Sequence, residues 1–121
     1  MTKTHTLKRP SANTPRIYET DNVKNYEDKL VVAHYFLPAT NVDYYVIEYD
    51  RESDEIFGWA ELIPDCGELG YTSLREMELI ETSVPVKSGN ILMGYLPVRI
   101  EYDEHWQPIK LGKVLEARKN K

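Results

Sequence analysis

The chain has 121 residues, 41% of them hydrophobic, with 15 Lys and Arg against 20 Asp and Glu and a formal charge of −5. That length and apolar share describe one folded domain and exclude a disordered chain. No run approaches the roughly 18 apolar residues of a membrane span, and the opening residues lack the apolar core of a signal peptide. The single cysteine, Cys66, leaves no internal disulfide and no cysteine-built zinc site. A cytoplasmic protein with no membrane association is expected.

The charge is unevenly laid out. Residues 1–16 hold four bases and no acid, residues 106–121 five bases and one acid, and the residues between them six bases and 19 acids. Residues 1–15, polar with Pro10 and Pro15, read as a flexible basic arm, 16–105 as the folded domain and 106–121 as a basic tail. An acidic middle aids solubility, and it also fits a protein partner with a basic surface. The tails carry no interleaved aromatics, so direct nucleic-acid binding is not expected.

In chain order, Asp21-Asn22 marks a turn or cap before a short helical turn. Leu30 to Leu37 (LVVAHYFL), apolar on both faces and stopped by Pro38, predicts a central strand. Asp43 to Asp50 (DYYVIEYD) predicts a second, reached by a hairpin connection. Ile56 to Ile63 (IFGWAELI) predicts a third, in which Gly58 suggests a bulge or the close approach of another backbone. Pro64 to Gly67 breaks that strand, and Glu68 to Thr72 is a short extended piece. Ser73-Leu-Arg-Glu76 has capping-box spacing and predicts a helix from Leu74 to about Thr82, with Leu74, Met77 and Ile80 on one face. Ser83 to Asn90, containing Pro85 and Gly89, reads as a loop. Ile91 to Leu96 is apolar, and after Pro97 the residues Val98, Ile100 and Tyr102 alternate with polar ones as a half-buried strand. A helical end is predicted over Lys113 to Lys119. The sum is a single-domain α+β fold: an antiparallel sheet of four or five strands packed on one face by one or two helices.

The sequence contains no phosphate loop and no GxGxxG, HExxH, GxSxG or EF-hand spacing, so no catalytic residue and no cofactor are assigned. Cys66 reads as structural, and His34, alternating with Val32 and Phe36, as a core or rim residue. Glu48 and Asp50 share a strand face, with Glu61 opposite them if the second and third strands pair. Three such carboxylates suit Mg²⁺ or Ca²⁺, or acid–base work, and give an alternative reading as a small metal-dependent enzyme such as a nuclease. With 20 acids in the chain such coincidences are expected, and a solvated face is the favoured explanation. Tyr44, Tyr45, Tyr49, Phe57, Trp59 and Tyr71 crowd into 28 residues. Strand alternation exposes some of them, and Tyr49, Trp59 and Tyr71, with Glu61 and Glu68, are the candidate protein-binding residues.

The series Tyr44-Tyr45, Glu48-Tyr49-Asp50, Phe57-Gly58 and the block Glu68-Leu-Gly-Tyr-Thr-Ser-Leu-Arg-Glu-Met-Glu78 resembles an uncharacterised family of small bacterial proteins. That family, a domain of unknown function, is often encoded on plasmids, integrative elements or phages. The similarity spans roughly residues 15–82, and the Glu68 to Glu78 block is its most specific part. The chain departs from the family pattern at Tyr44, where Trp is common, at Thr72, where Phe stands, and by an insertion over Ile63 to Gly67. The resemblance implies a mobile-element setting and lends no catalytic residue. The expected function is a non-enzymatic, protein-binding accessory module of a bacterial mobile element, antagonising a host defence through its acidic surface.

Overall fold

The computed structural model describes residues 5–120. Residues 1–4 of the expected arm and residue 121 of the expected tail lie outside that range. A 3₁₀ turn over Tyr26–Asp28 precedes β1 (Leu30–Val31), β2 (Ala33–Phe36), β3 (Asp43–Asp50), β4 (Glu55–Glu61) and β5 (Glu68–Ser73). Then come α1 (Leu74–Met77), β6 (Glu81–Ser88), β7 (Ile91–Arg99), β8 (Glu101–Tyr102), β9 (Ile109–Lys110) and α2 (Leu111–Lys119). One antiparallel five-stranded sheet runs in the order β5-β4-β3-β2-β8, while β1 pairs with β9 and β6 with β7. This is the predicted α+β domain with its antiparallel five-stranded sheet, but the helices pack on both faces and not on one, and the first predicted strand is broken at Val32, so that Leu30–Val31 leaves the sheet to pair with β9.

Period-two alternation divides the core between the two faces of the sheet. On one face Tyr44 and Val46 pack with Ala33, Tyr35, Ile56 and Ile100 beneath Leu74 and Met77 of α1. On the other, Tyr45 and Ile47 pack with Val31 beneath Leu111 and Val114 of α2. The register of β3 on β4 shifts between Val46 and Glu48, a β-bulge opposite Gly58. A Cβ built on Gly58 would lie 1.8 Å from the Tyr45 carbonyl oxygen. The backbones therefore meet where only glycine fits, as the sequence suggests. Beside the bulge, Glu48 is 2% exposed. Its carboxylate accepts from the Tyr18 amide at 2.9 Å, the Thr20 amide at 3.0 Å and the Thr20 hydroxyl, tying the 16–23 turns to the sheet.

Two predicted elements are corrected. The helix beginning at Leu74, capped by Ser73 Oγ accepting from the Glu76 amide, ends at Met77. The Glu78 carboxylate turns instead to the Leu7 amide and the Arg9 guanidinium, and the chain then enters β6. Ser83 to Asn90 is not a loop: it carries most of β6, and Pro85 and Pro97 lie inside paired strands opposite Tyr95 and Ser83. A ladder accepts proline only where its amide position points away from the partner strand. Gly89 (φ +60°) and Asn90 supply the two-residue turn between Ser88 and Ile91.

The expected arm and tail each send particular side chains into the fold while many of their other residues stay exposed. Leu7 is buried in the α1-side cluster. Arg9 forks onto Asp54, donating Nε to Oδ1 at 3.0 Å and Nη2 to Oδ2 at 2.6 Å, and reaches Glu78 at 2.6 Å through Nη1. Arg118 does the corresponding work from α2. Basic ends and acidic middle thus neutralise each other across the fold, which is why the few apolar residues of these segments do not leave them loose.

The β6–β7 hairpin stands apart from the sheet. Outside its own pairing it meets the body at its base, where Val98 joins the core and Arg99 donates to the Glu78 carbonyl. Cross-strand partners share a face. Pro85, Tyr95 and Pro97 therefore occupy one side of the ribbon, and Val84, Val86 and Leu96 the other. Most of it faces solvent, with Ile91 68%, Met93 65% and Tyr95 66% exposed.

Candidate functional site

Asp43 and Glu61 stand side by side because residue 43 pairs with 61 at one end of the α2-covered face. On α2 the positions Leu111, Val114 and Arg118 recur at helical spacing, so two apolar anchors bring a guanidinium down with them. Arg118 donates Nε to Glu61 Oε2 at 2.6 Å, and Nη1 to Asp43 and to the Tyr45 hydroxyl at 2.9 Å. The other oxygen of Asp43 lies 2.7 Å from His34 Nε2, and Asp103 lies 2.9 Å from His34 Nδ1. Trp59 completes the chain, its indole N–H donating to Glu61 Oε1 at 3.1 Å. Burial works to raise the Asp43 pKa, but hydrogen bonds from His34 and Arg118 outweigh it and hold the carboxyl below the ordinary value.

These groups line a cleft of about 1180 Å³. Its apolar walls include Phe36, Leu115 and the Tyr26–Trp59 stack, whose ring centroids are 6.0 Å apart at 8°. Gly67 presses the 64–67 loop onto the Trp59 ring, where a Cβ would lie 2.2 Å from Nε1. At the rim, Glu27, Asp65 and Glu116 are exposed and pair with no cation among the described residues.

The chemistry open to this arrangement follows from what is already engaged. Both nitrogens of His34 face carboxylates, so neither is free to exchange a proton with a substrate. Arg118 spends its donors on protein acceptors. What remains is a rim of three free carboxylates and Lys119 over aromatic walls, acidic on balance and suited to a cationic or amphipathic guest.

The sequence-derived candidates separate in space. Trp59 and Glu61 share the cleft. Tyr49 is buried, its hydroxyl donating to Asp54 at 2.7 Å, and so presents no surface. Glu68 and Tyr71 are exposed on edge strand β5. Of the three carboxylates considered for a metal, Glu48 and Asp50 pair with Phe57 and Glu55. Glu61 lies four residues beyond Phe57 along β4, about 13 Å at strand spacing. No group of three or more His, Cys, Asp or Glu among the described residues is placed to hold a metal ion. Sequence reasoning missed His34, Asp43, Asp103 and Arg118 as one unit, because Asp43 and Arg118 are 75 positions apart and their pairing has no local signature. It also missed the ribbon, for which Gly89-Asn90 between apolar stretches is a hairpin signal.

The chain belongs to the family described as a protein of unknown function, DUF2958, which matches residues 7–93. The match takes in four of the five strands of the sheet, then β6 and the first residues of β7, and stops before β8 and α2. No curated protein and no solved structure matches the chain. Among the described residues no helix is long and apolar enough to cross a membrane.

Proposed function

We propose that this protein is a non-enzymatic protein-binding module, an accessory of a bacterial mobile element. It docks through the β6–β7 ribbon and offers its acidic body to a partner with a basic surface. The observation that carries this reading is the ribbon. A two-stranded hairpin on its own is marginal in water, and this one holds Val86, Ile91, Leu92, Met93, Tyr95 and Leu96 in solvent. Clustered apolar exposure of this kind marks a contact surface. The acidic middle of the chain adds steering toward a basic protein, and it makes association salt-sensitive.

The test is retention of a stoichiometric partner by the immobilised protein from a bacterial lysate at low ionic strength. Release with rising salt is expected, and the Tyr95→Ser, Leu96→Asp double variant is expected to retain nothing. Equal retention by that variant, or no partner at low salt, overturns the reading.

A further inference from the structure

We infer that the ribbon tip of one copy inserts into the cleft of a second copy, whose own ribbon returns the contact, so that the protein closes into a symmetric dimer. This rests on the ribbon being a protein-binding surface, and it names the first occupant of that surface.

The ribbon's edges are closed to strand addition at Pro85 and Pro97, whose outward positions lack an N–H. Binding at those positions must therefore use side chains. Apolar groups occupy both faces behind the polar Ser88-Gly89-Asn90 turn, so a flat partner would leave half of them wet. A receptor that surrounds the tip would not. The cleft has the matching size. A two-stranded ribbon is about 10 Å wide and about 10 Å thick with its side chains, so 1180 Å³ takes about 12 Å of it, three to four residue pairs. That is the stretch from Lys87 around the turn to Leu92 and Met93.

Charge agrees. Between Thr82 and Val98 the ribbon has one charged residue, Lys87, opposite Leu92 near the tip. It would enter a cleft where Glu27, Asp65 and Glu116 outnumber Lys119 at the rim and Trp59 and Phe36 form the walls, which suit a lysine with its alkyl stem. Area then separates this arrangement from ribbons packed on each other. One ribbon face is about 27 Å by 10 Å, hiding about 270 Å² per copy, against about 800 Å² per partner in a stable interface. Reciprocal insertion instead covers two surfaces on each copy, the ribbon tip and the cleft wall. A contact made twice across one two-fold axis closes and leaves nothing to grow.

Sedimentation equilibrium over a concentration series tests this, in reducing buffer because Cys66 is exposed. The unaltered protein is expected to be a dimer. Leu92→Asp with Met93→Asp on the ribbon, and separately Asp65→Lys with Glu116→Lys on the cleft rim, are each expected to weaken it at least about tenfold. All four sites are exposed, and circular dichroism shows whether each variant folds. Mixing the two variants is expected to yield a heterodimer, since one intact ribbon still meets one intact cleft. A monomer at every concentration overturns the dimer, as does a dimer indifferent to the rim variants or an assembly that grows without limit. A monomer whose ribbon still captures a lysate partner overturns the dimer alone and leaves the protein-binding reading standing.

Discussion

Two glycines of β4 and β5 face each other across the register, Gly58 opposite Gly70, yet their surroundings differ. Gly58 is closed in by the Tyr45 carbonyl, whereas nothing lies within 4 Å of a Cβ on Gly70. Gly58→Ala is expected to cost about 3 kcal/mol or to prevent folding, since the obstacle is backbone and cannot swing aside. Gly70→Ala is expected to stay within about 0.5 kcal/mol; urea unfolding of the pair measures both. Arg118→Met removes the shared cation of Asp43 and Glu61 and leaves two largely buried carboxylates facing each other, an expected loss of about 3 kcal/mol by the same measurement. Gly58 was legible in the sequence because a glycine inside a strand pattern has a local cause. Arg118 was not, because at position 118 it reads as one more base in a basic stretch. Its role depends on carboxylates that only the folded register brings within reach.

The elements show the same divide. Strands β2, β3 and β4 follow from dense β-branched and aromatic runs with polar breaks between them; β3 has the predicted bounds, β4 is shifted by one to two residues, and the run 30–37 is divided between β1 and β2. The α1 cap is equally local. Beyond Met77 the local signs conflict. Leu74, Met77 and Ile80 keep a helical stripe, but Thr82, Val84 and Val86 prefer extended backbone, and Pro85 suggests a break. Proline is compatible with a strand whose outer edge is unpaired, and no reading of Pro85 alone tells an edge from an interior. Because the ribbon is anchored only at its base, replacing residues 83–97 with a short Gly-Ser turn is expected to leave the five-stranded sheet folded. Thr82 and Val98 are paired neighbours and need only that short bridge. Circular dichroism and the urea midpoint check this, and loss of cooperative unfolding would show that the ribbon is part of the core.

For the whole molecule, acidity is balanced by two guanidinium groups drawn from opposite ends of the chain. Burial raises Asp54, but hydrogen bonds from Arg9 and Tyr49 outweigh it and hold it low. The Arg9 hydrogen bond lowers Glu78 against a smaller burial effect, and Asp43 is held low beside His34 and Arg118. All three are depressed in the folded state, so as pH falls the unfolded chain takes up protons first, near its ordinary carboxylate values of about 4. Stability from these groups is expected to be complete above about pH 5 and to fall away as pH drops through about 4 and below. Urea midpoints across that range measure it, and Arg9→Gln is expected to lower the neutral plateau and flatten the acid limb. Such pairing also explains why the end segments, read as loose from composition, are fastened: the charge asymmetry is visible in the sequence, but its resolution into particular pairs is not.

The 75-residue separation of Asp43 from Arg118 sets a clock during synthesis. At 5 to 20 residues per second a ribosome needs roughly 4 to 15 s to make the intervening chain. Once Glu61 is also made, 57 residues before Arg118, a sheet that pairs residues 43 and 61 would hold both carboxylates without their guanidinium. Mutual repulsion of two such carboxylates opposes burial of that end of the sheet until the cation arrives. The arriving cation then works as a latch that closes last, so a translational pause shortly before codon 118 should hold the domain half-assembled.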